Sequence, residues 1–162
     1  MKKIIILLLL LIFSLPVSAT VLEAGIAIDK VPKEIYGLWR VNSKLENTNS
    51  YKTFKPQSVD FWELIRFDNI IKLNNPYTGA NAEIRVESAE GFVVCFSKVS
   101  NYDDNKILTD TVTLRLDKNE FSGINTVKLE YFSLIDNHLM KTETATYNIT
   151  GEKISGENIL IE

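Results

Sequence analysis

Trp39-Arg40-Val41-Asn42-Ser43-Lys44-Leu45 sets apolar or small side chains at the odd positions and polar ones at the even positions. A strand sends successive side chains to opposite faces, so a period of two marks a β-strand with one buried face. The same period runs through Ala82-Glu83-Ile84-Arg85-Val86-Glu87. In 108–116, Val112, Leu114 and Leu116 oppose Thr109, Thr111, Thr113 and Arg115. Val127, Leu129 and Tyr131 alternate with Lys128 and Glu130, and Ala145, Tyr147 and Ile149 with Thr144, Thr146 and Asn148. Two stretches, 59–67 and 92–99, are apolar on both faces, as expected of strands covered on both sides or lying against a ligand. No long amphipathic helix interrupts the pattern; residues 22–28 are the best candidate for a short one.

Turn signals separate these runs: Asn74-Asn75-Pro76, Thr78-Gly79, Ala89-Glu90-Gly91, Asp103-Asp104-Asn105, Asp117-Lys118-Asn119, Asp136-Asn137 and Gly151. Eight or nine strands joined by short hairpins make an antiparallel meander. Open edges on such a meander invite aggregation, so it must close or form two layers. The fold expected is therefore mainly β, an up-and-down barrel of about eight strands, with a β-sandwich as the alternative.

The first residues read differently. Met1-Lys2-Lys3 is a short positive segment, 4–13 is wholly apolar, and Val17-Ser18-Ala19 places small residues at a peptidase site. Residues 1–19 thus read as a cleavable signal peptide, and the product as a periplasmic or secreted protein. The apolar run falls short of the roughly 17–25 residues that span a bilayer, so no stable membrane anchor is expected. Residues 20–33 form a lead-in, ended by Val31-Pro32, and 34–162 a single domain. Without residues 1–19, which hold two lysines and no acid, 16 basic side chains face 21 acidic ones, a net charge of −5. That balance argues against nucleic acid, whose binding rests on phosphate neutralisation. The single cysteine excludes an intrachain disulfide, and Cys95, within Phe92-Val93-Val94-Cys95-Phe96, is expected to be a buried, inert thiol.

Gly37-Leu38-Trp39, opening the first strand, resembles the Gly-X-Trp signature of the lipocalins and their calycin relatives. The resemblance implies a glycine that bends the entry of the first strand and a tryptophan that plugs the closed end. It also implies a barrel that carries small hydrophobic molecules. In that family an arginine from near the last strand stacks on the tryptophan. No arginine follows Arg115 here, which leaves Lys141 or Lys153 as substitutes. Thr109-Asp110-Thr111 resembles the family's second motif but comes too early in the chain, and the family's C-terminal helix is missing.

Catalytic and metal-ligating sets are not evident. His138, beside Asp136-Asn137, reads as a solvated hairpin histidine, and one histidine with one cysteine falls short of a zinc site. Asp103-Asp104-Asn105 reads as a polar turn, and Glu83 with Glu87 as a solvated exterior. No catalytic residue, metal ligand or cofactor is therefore assigned, and a non-enzymatic binding role is expected. The face expected inside the barrel carries Trp39, Phe61, Ile65, Ile84, Leu114, Tyr131 and Tyr147, which would line a cavity for one small hydrophobic ligand or fill the core. Ser43, Ala82 and Ala145 would leave room for a cup at one end. Trp62 and Leu64 fall on the opposite face from Phe61 and Ile65. If exposed, they would suit a protein partner, the alternative function being a protein-binding or inhibitor-like barrel with a filled core.

Overall fold

A computed structural model of the chain describes residues 28–156 and the backbone of Ile159–Leu160. The expected signal peptide, 1–19, and residues 22–27 of the expected short helix lie outside the described residues. The strands run β1 (Gly37–Thr48), β2 (Gln57–Phe67), β3 (Ile70–Asn74), β4 (Asn81–Glu90), β5 (Val93–Asp103), β6 (Lys106–Asp117), β7 (Glu120–Phe132), β8 (Leu139–Ser155) and the short β9 (Ile159–Leu160). β1 to β8 pair antiparallel in chain order, and β1 also pairs with β8, so the meander closes into a ring. The barrel is the expected one. β9 runs parallel to β2 at Arg66 and Phe67, beyond Gly37↔Leu64, where the β1 ladder on β2 ends.

Register shows which face is inside. Trp39 lies opposite Trp62, and Gly37 opposite Leu64. Cross-strand partners share a face, so the even residues of β2 join the odd residues of β1 in the core. Trp62 and Leu64 are buried, whereas Phe61 and Ile65 are half-buried on the outer face. The expected inward placement of Phe61 and Ile65 is therefore corrected, and of the two placements open for Trp62 and Leu64 the structure has the buried one. Both sets of β2 are apolar, so alternation alone had no sign; only pairing with β1 gives one. A second departure follows β2. Asp68-Asn69 makes a two-residue turn with Asp68 at φ 47°, and the five-residue β3 follows it. Short polar side chains tolerate that backbone.

The closed end lies where β1 begins. A single 3-10 turn, Lys33–Ile35, brings Ile35 and Tyr36 beneath the barrel beside Ile28 and Val31, all buried. Trp39 is fully buried above them and donates its indole N–H to the Ile35 carbonyl at 2.7 Å. Lys153 sits over the Trp39 ring, Nζ 5.3 Å from its centroid, and donates to the Glu34 carbonyl. Lys141 lies at the opposite end of β8. Gly37 has φ 126°, and a β-carbon there would collide with the backbone of Ser155 and Gly156. Only glycine allows the chain end to cross so close to the entry of β1.

An aromatic column continues upward. Phe121 packs on Trp39 at 5.1 Å and on Trp62 at 6.1 Å, and Trp62 meets Phe96 at 6.4 Å edge-on. Gly151 makes room for it, since a β-carbon there would lie 2.1 Å from the Phe121 ring. Gly151→Ala should therefore destabilise the fold by about 1–3 kcal/mol through overpacking. Adding Phe121→Leu should recover part of that loss. Urea midpoints of the two single variants and the double variant test this coupling.

Candidate functional site

Above the aromatic column the barrel interior is not filled. A cavity of about 290 Å³, partly open to solvent, occupies the half of the barrel towards the end of β1. That volume is at the lower edge of ligand pockets, which run from roughly 300 to 1,000 Å³. Its floor is Trp62 and Phe96, and its walls are Leu73, Leu108, Val112, Val127, Leu129 and Tyr147. Ser43 and Ser58, small side chains on β1 and β2, leave the space that larger ones would take.

The sequence-derived residues divide as follows. Tyr147 lines the cavity directly. Trp39 belongs to the plug below it, and Ile84 and Leu114 to the surrounding core. Tyr131 packs against that core near the mouth. Phe61 and Ile65 are outside, with Phe61 packed on Tyr77 in a tilted arrangement, ring centroids 4.5 Å apart. Cys95 is half-buried rather than buried, because Val94 and Phe96 take the inward positions on either side of it. His138 is exposed and paired with Asp136 at 2.6 Å, a hairpin pair remote from the cavity lining.

Three charged side chains of the lining escaped the sequence reading: Asp60, Lys98 and Asp110. Lys98 and Asp110 share the inward faces of Phe96 and Val112, and Asp60 shares the even face of β2, which alternation alone had placed outside. Lys98 and Asp110 pair at 3.2 Å across β5 and β6, where they are direct register partners. Asp60 accepts from the Trp62 indole N–H at 3.2 Å, the Asn75 amide at 2.5 Å and the Phe61 backbone N–H at 2.9 Å. Asn125, which also lines the cavity, reaches Asp110 at 3.5 Å and leaves its buried Oδ1 with no hydrogen-bond partner. The signal that could have found these groups was parity: Asp110 shares the face of Val112 and Leu114, and Asn125 that of Val127.

The β1–β2 loop, 49–56, folds across the mouth. Phe54, 8% exposed, enters the top of the cavity beside Thr53. The loop is tied to β8 by Glu143, the one buried charged side chain among the described residues. Ser50 and Thr53 donate to its two oxygens at 2.8 Å each, Tyr131 at 2.7 Å and Lys141 at 2.5 Å. Further bonds join Asn49 to the backbone of Thr142 and Thr144, and the Tyr147 hydroxyl to the Lys55 carbonyl. The side wall is looser. The β4–β5 ladder runs only from Arg85↔Ser97 to Glu90↔Val93, so Asn81–Ile84 and the upper part of β5 are not paired across that seam. A groove lined by Asn81, Ala82, Lys98 and Ser100 marks the gap and reaches Asp60 and Trp62. No family model, characterised protein or solved structure matches the chain.

Four donors to one carboxylate favour its charged form. The Lys141 bond, followed by those from Tyr131, Ser50 and Thr53, holds Glu143 down at about 2, against an ordinary 4.5. A depressed carboxyl contributes stability in full above its unfolded value and loses it as pH falls towards its folded one. The loop anchorage should therefore weaken between about pH 4.5 and 2. Protection of the 49–56 amides, taken relative to the intrinsic exchange rate at each pH, should fall as pH drops through that window in the wild type. In Glu143→Ala that protection should already be lost at pH 7, with the β6–β7 ladder still protected.

Proposed function

We propose that this protein binds one small, mainly apolar molecule inside its barrel and acts as an exported carrier or sequestering protein rather than an enzyme. The observation that carries this reading is the unfilled, partly solvent-open cup above Trp62, with a sealed aromatic floor beneath it. A protein using its barrel only as a scaffold gains by filling the interior, since voids cost dispersion contacts and stability. Here the floor is tightly packed and the upper half is empty, with a separate loop held over it. That is the arrangement of a container. The Gly37-Leu38-Trp39 resemblance to lipocalins supports the same reading, as does a lysine over the tryptophan where that family places an arginine. The export signal supports a role in the periplasm or outside the cell.

The apolar walls provide affinity through area removed from water, at roughly 25 cal/mol per Å². The few polar groups fix orientation, the usual division of labour in ligand pockets. A protein partner was the alternative reading, and it depended on an exposed Trp62, which the barrel instead buries.

Native mass spectrometry of the protein purified from its own host tests the proposal. Recovery with a bound small molecule is the expected outcome, and consistent recovery of the empty protein would count against it. Fluorescence gives a second measurement, because Trp62 lines the cavity and Trp39 does not. An apolar probe should change the emission of Trp39→Phe protein while leaving that of Trp62→Phe nearly unchanged.

A further inference from the structure

Asp60 is the one charged group of the cavity lining without a countercharge. Its three hydrogen-bond donors are all neutral: an indole, an amide and a backbone N–H. Among the described residues no lysine, arginine or histidine comes within ion-pairing distance of it. Lys98 Nζ, the only cation among the described residues of the lining, pairs with Asp110. Two carboxylates against one ammonium leave the cavity with a net negative charge. Asp60 is half-buried and keeps part of its carboxylate in contact with water, and a cation that reaches it gains a charge-assisted contact that none of its neutral donors supplies.

The surroundings suit such a cation. Trp62, Phe96, Phe54 and Tyr147 line the same space, and aromatic faces attract cations through the ring quadrupole. Asn125, with its unpartnered Oδ1, adds acceptor rather than donor capacity. Asp60 also stands where the cup meets the groove at the β4–β5 seam. A molecule with its apolar body in the cup could thus keep a polar head near water.

We infer that the ligand is a small organic amine with an apolar or aromatic body, bound as its ammonium ion with Asp60 as counter-ion. The inference rests on the reading of the cup as a ligand site and adds the charge and chemical class of the occupant. An anionic ligand, such as a fatty acid, would face Asp60 directly and would have to compete with Asp110 for Lys98.

Calorimetric titration with three probes of matched shape tests it: 2-phenylethylamine, 2-phenylethanol and 3-phenylpropionate. The amine should bind about tenfold tighter than the alcohol, as a charge-assisted contact beside aromatic faces requires, and the acid should bind most weakly. Asp60→Asn should remove the amine's advantage while leaving the alcohol within about twofold. The ranking on wild-type protein stands by itself if that variant fails to fold. Binding of the alcohol or the acid as tightly as the amine would overturn the choice of ligand class and leave the cup as a ligand site. Failure of all three probes and of a neutral apolar dye to bind the folded protein would overturn both.

Discussion

Everything in this molecule depends on β1 hydrogen-bonding along both of its edges. It pairs with β2 on one side and with β8 on the other, so the last long strand of the meander returns to the first. Without that double pairing the meander would be an open sheet with two exposed edges and no interior. With it, the odd residues of β1 are committed to the inside, and the parity of each neighbour follows from register. Trp39 sits in the same strand, fully buried, and anchors the entry turn through its bond to Ile35. Closure of the ring and closure of one end are therefore accomplished by a single segment of chain.

Much of this was legible in the sequence. Alternation in 39–45, 82–87, 108–116, 127–131 and 145–149 located strands and, in each case, the inward set. What failed was β2, and the reason is physical. Phe61 and Ile65 are as apolar as Trp62 and Leu64, and periodicity yields two faces without naming the buried one. The Asp68-Asn69 turn was missed because 59–67 runs into 70–74 with only two polar residues between, so the pair of strands reads as one longer segment. A lysine over Trp39, Lys141 or Lys153, was an expectation from the lipocalin resemblance, because no arginine follows Arg115; the pairing of β1 with β8 brings Lys153 there.

The candidate site was less legible than the fold. A reading that sorts residues into apolar-inside and polar-outside passes over Asp60, Lys98, Asp110 and Glu143, although parity puts Asp110 with Val112 and Glu143 with Ala145 on the inward face. These exceptions carry the chemical character of the cup. Asp110 and Lys98 satisfy each other across one ladder. Glu143 is satisfied four times over and serves the loop at the mouth. Asp60 is hydrogen-bonded but not neutralised, and that asymmetry distinguishes it from the other two acids.

The short β4–β5 ladder separates two properties that a barrel usually binds together. From β5 through β8 to β1 the ladders are long, and resistance to unfolding resides there. The β3–β4 hairpin is held along β2 and along only the lower part of β5. Its upper half can part from β5 without breaking a hydrogen bond of that ladder, because none is made there. In the carrier role proposed above, passage through this seam would need only a small local excursion and no breakage of the long ladders. Substitutions there would then tune residence time while leaving the melting temperature largely alone, and selection could adjust the two independently.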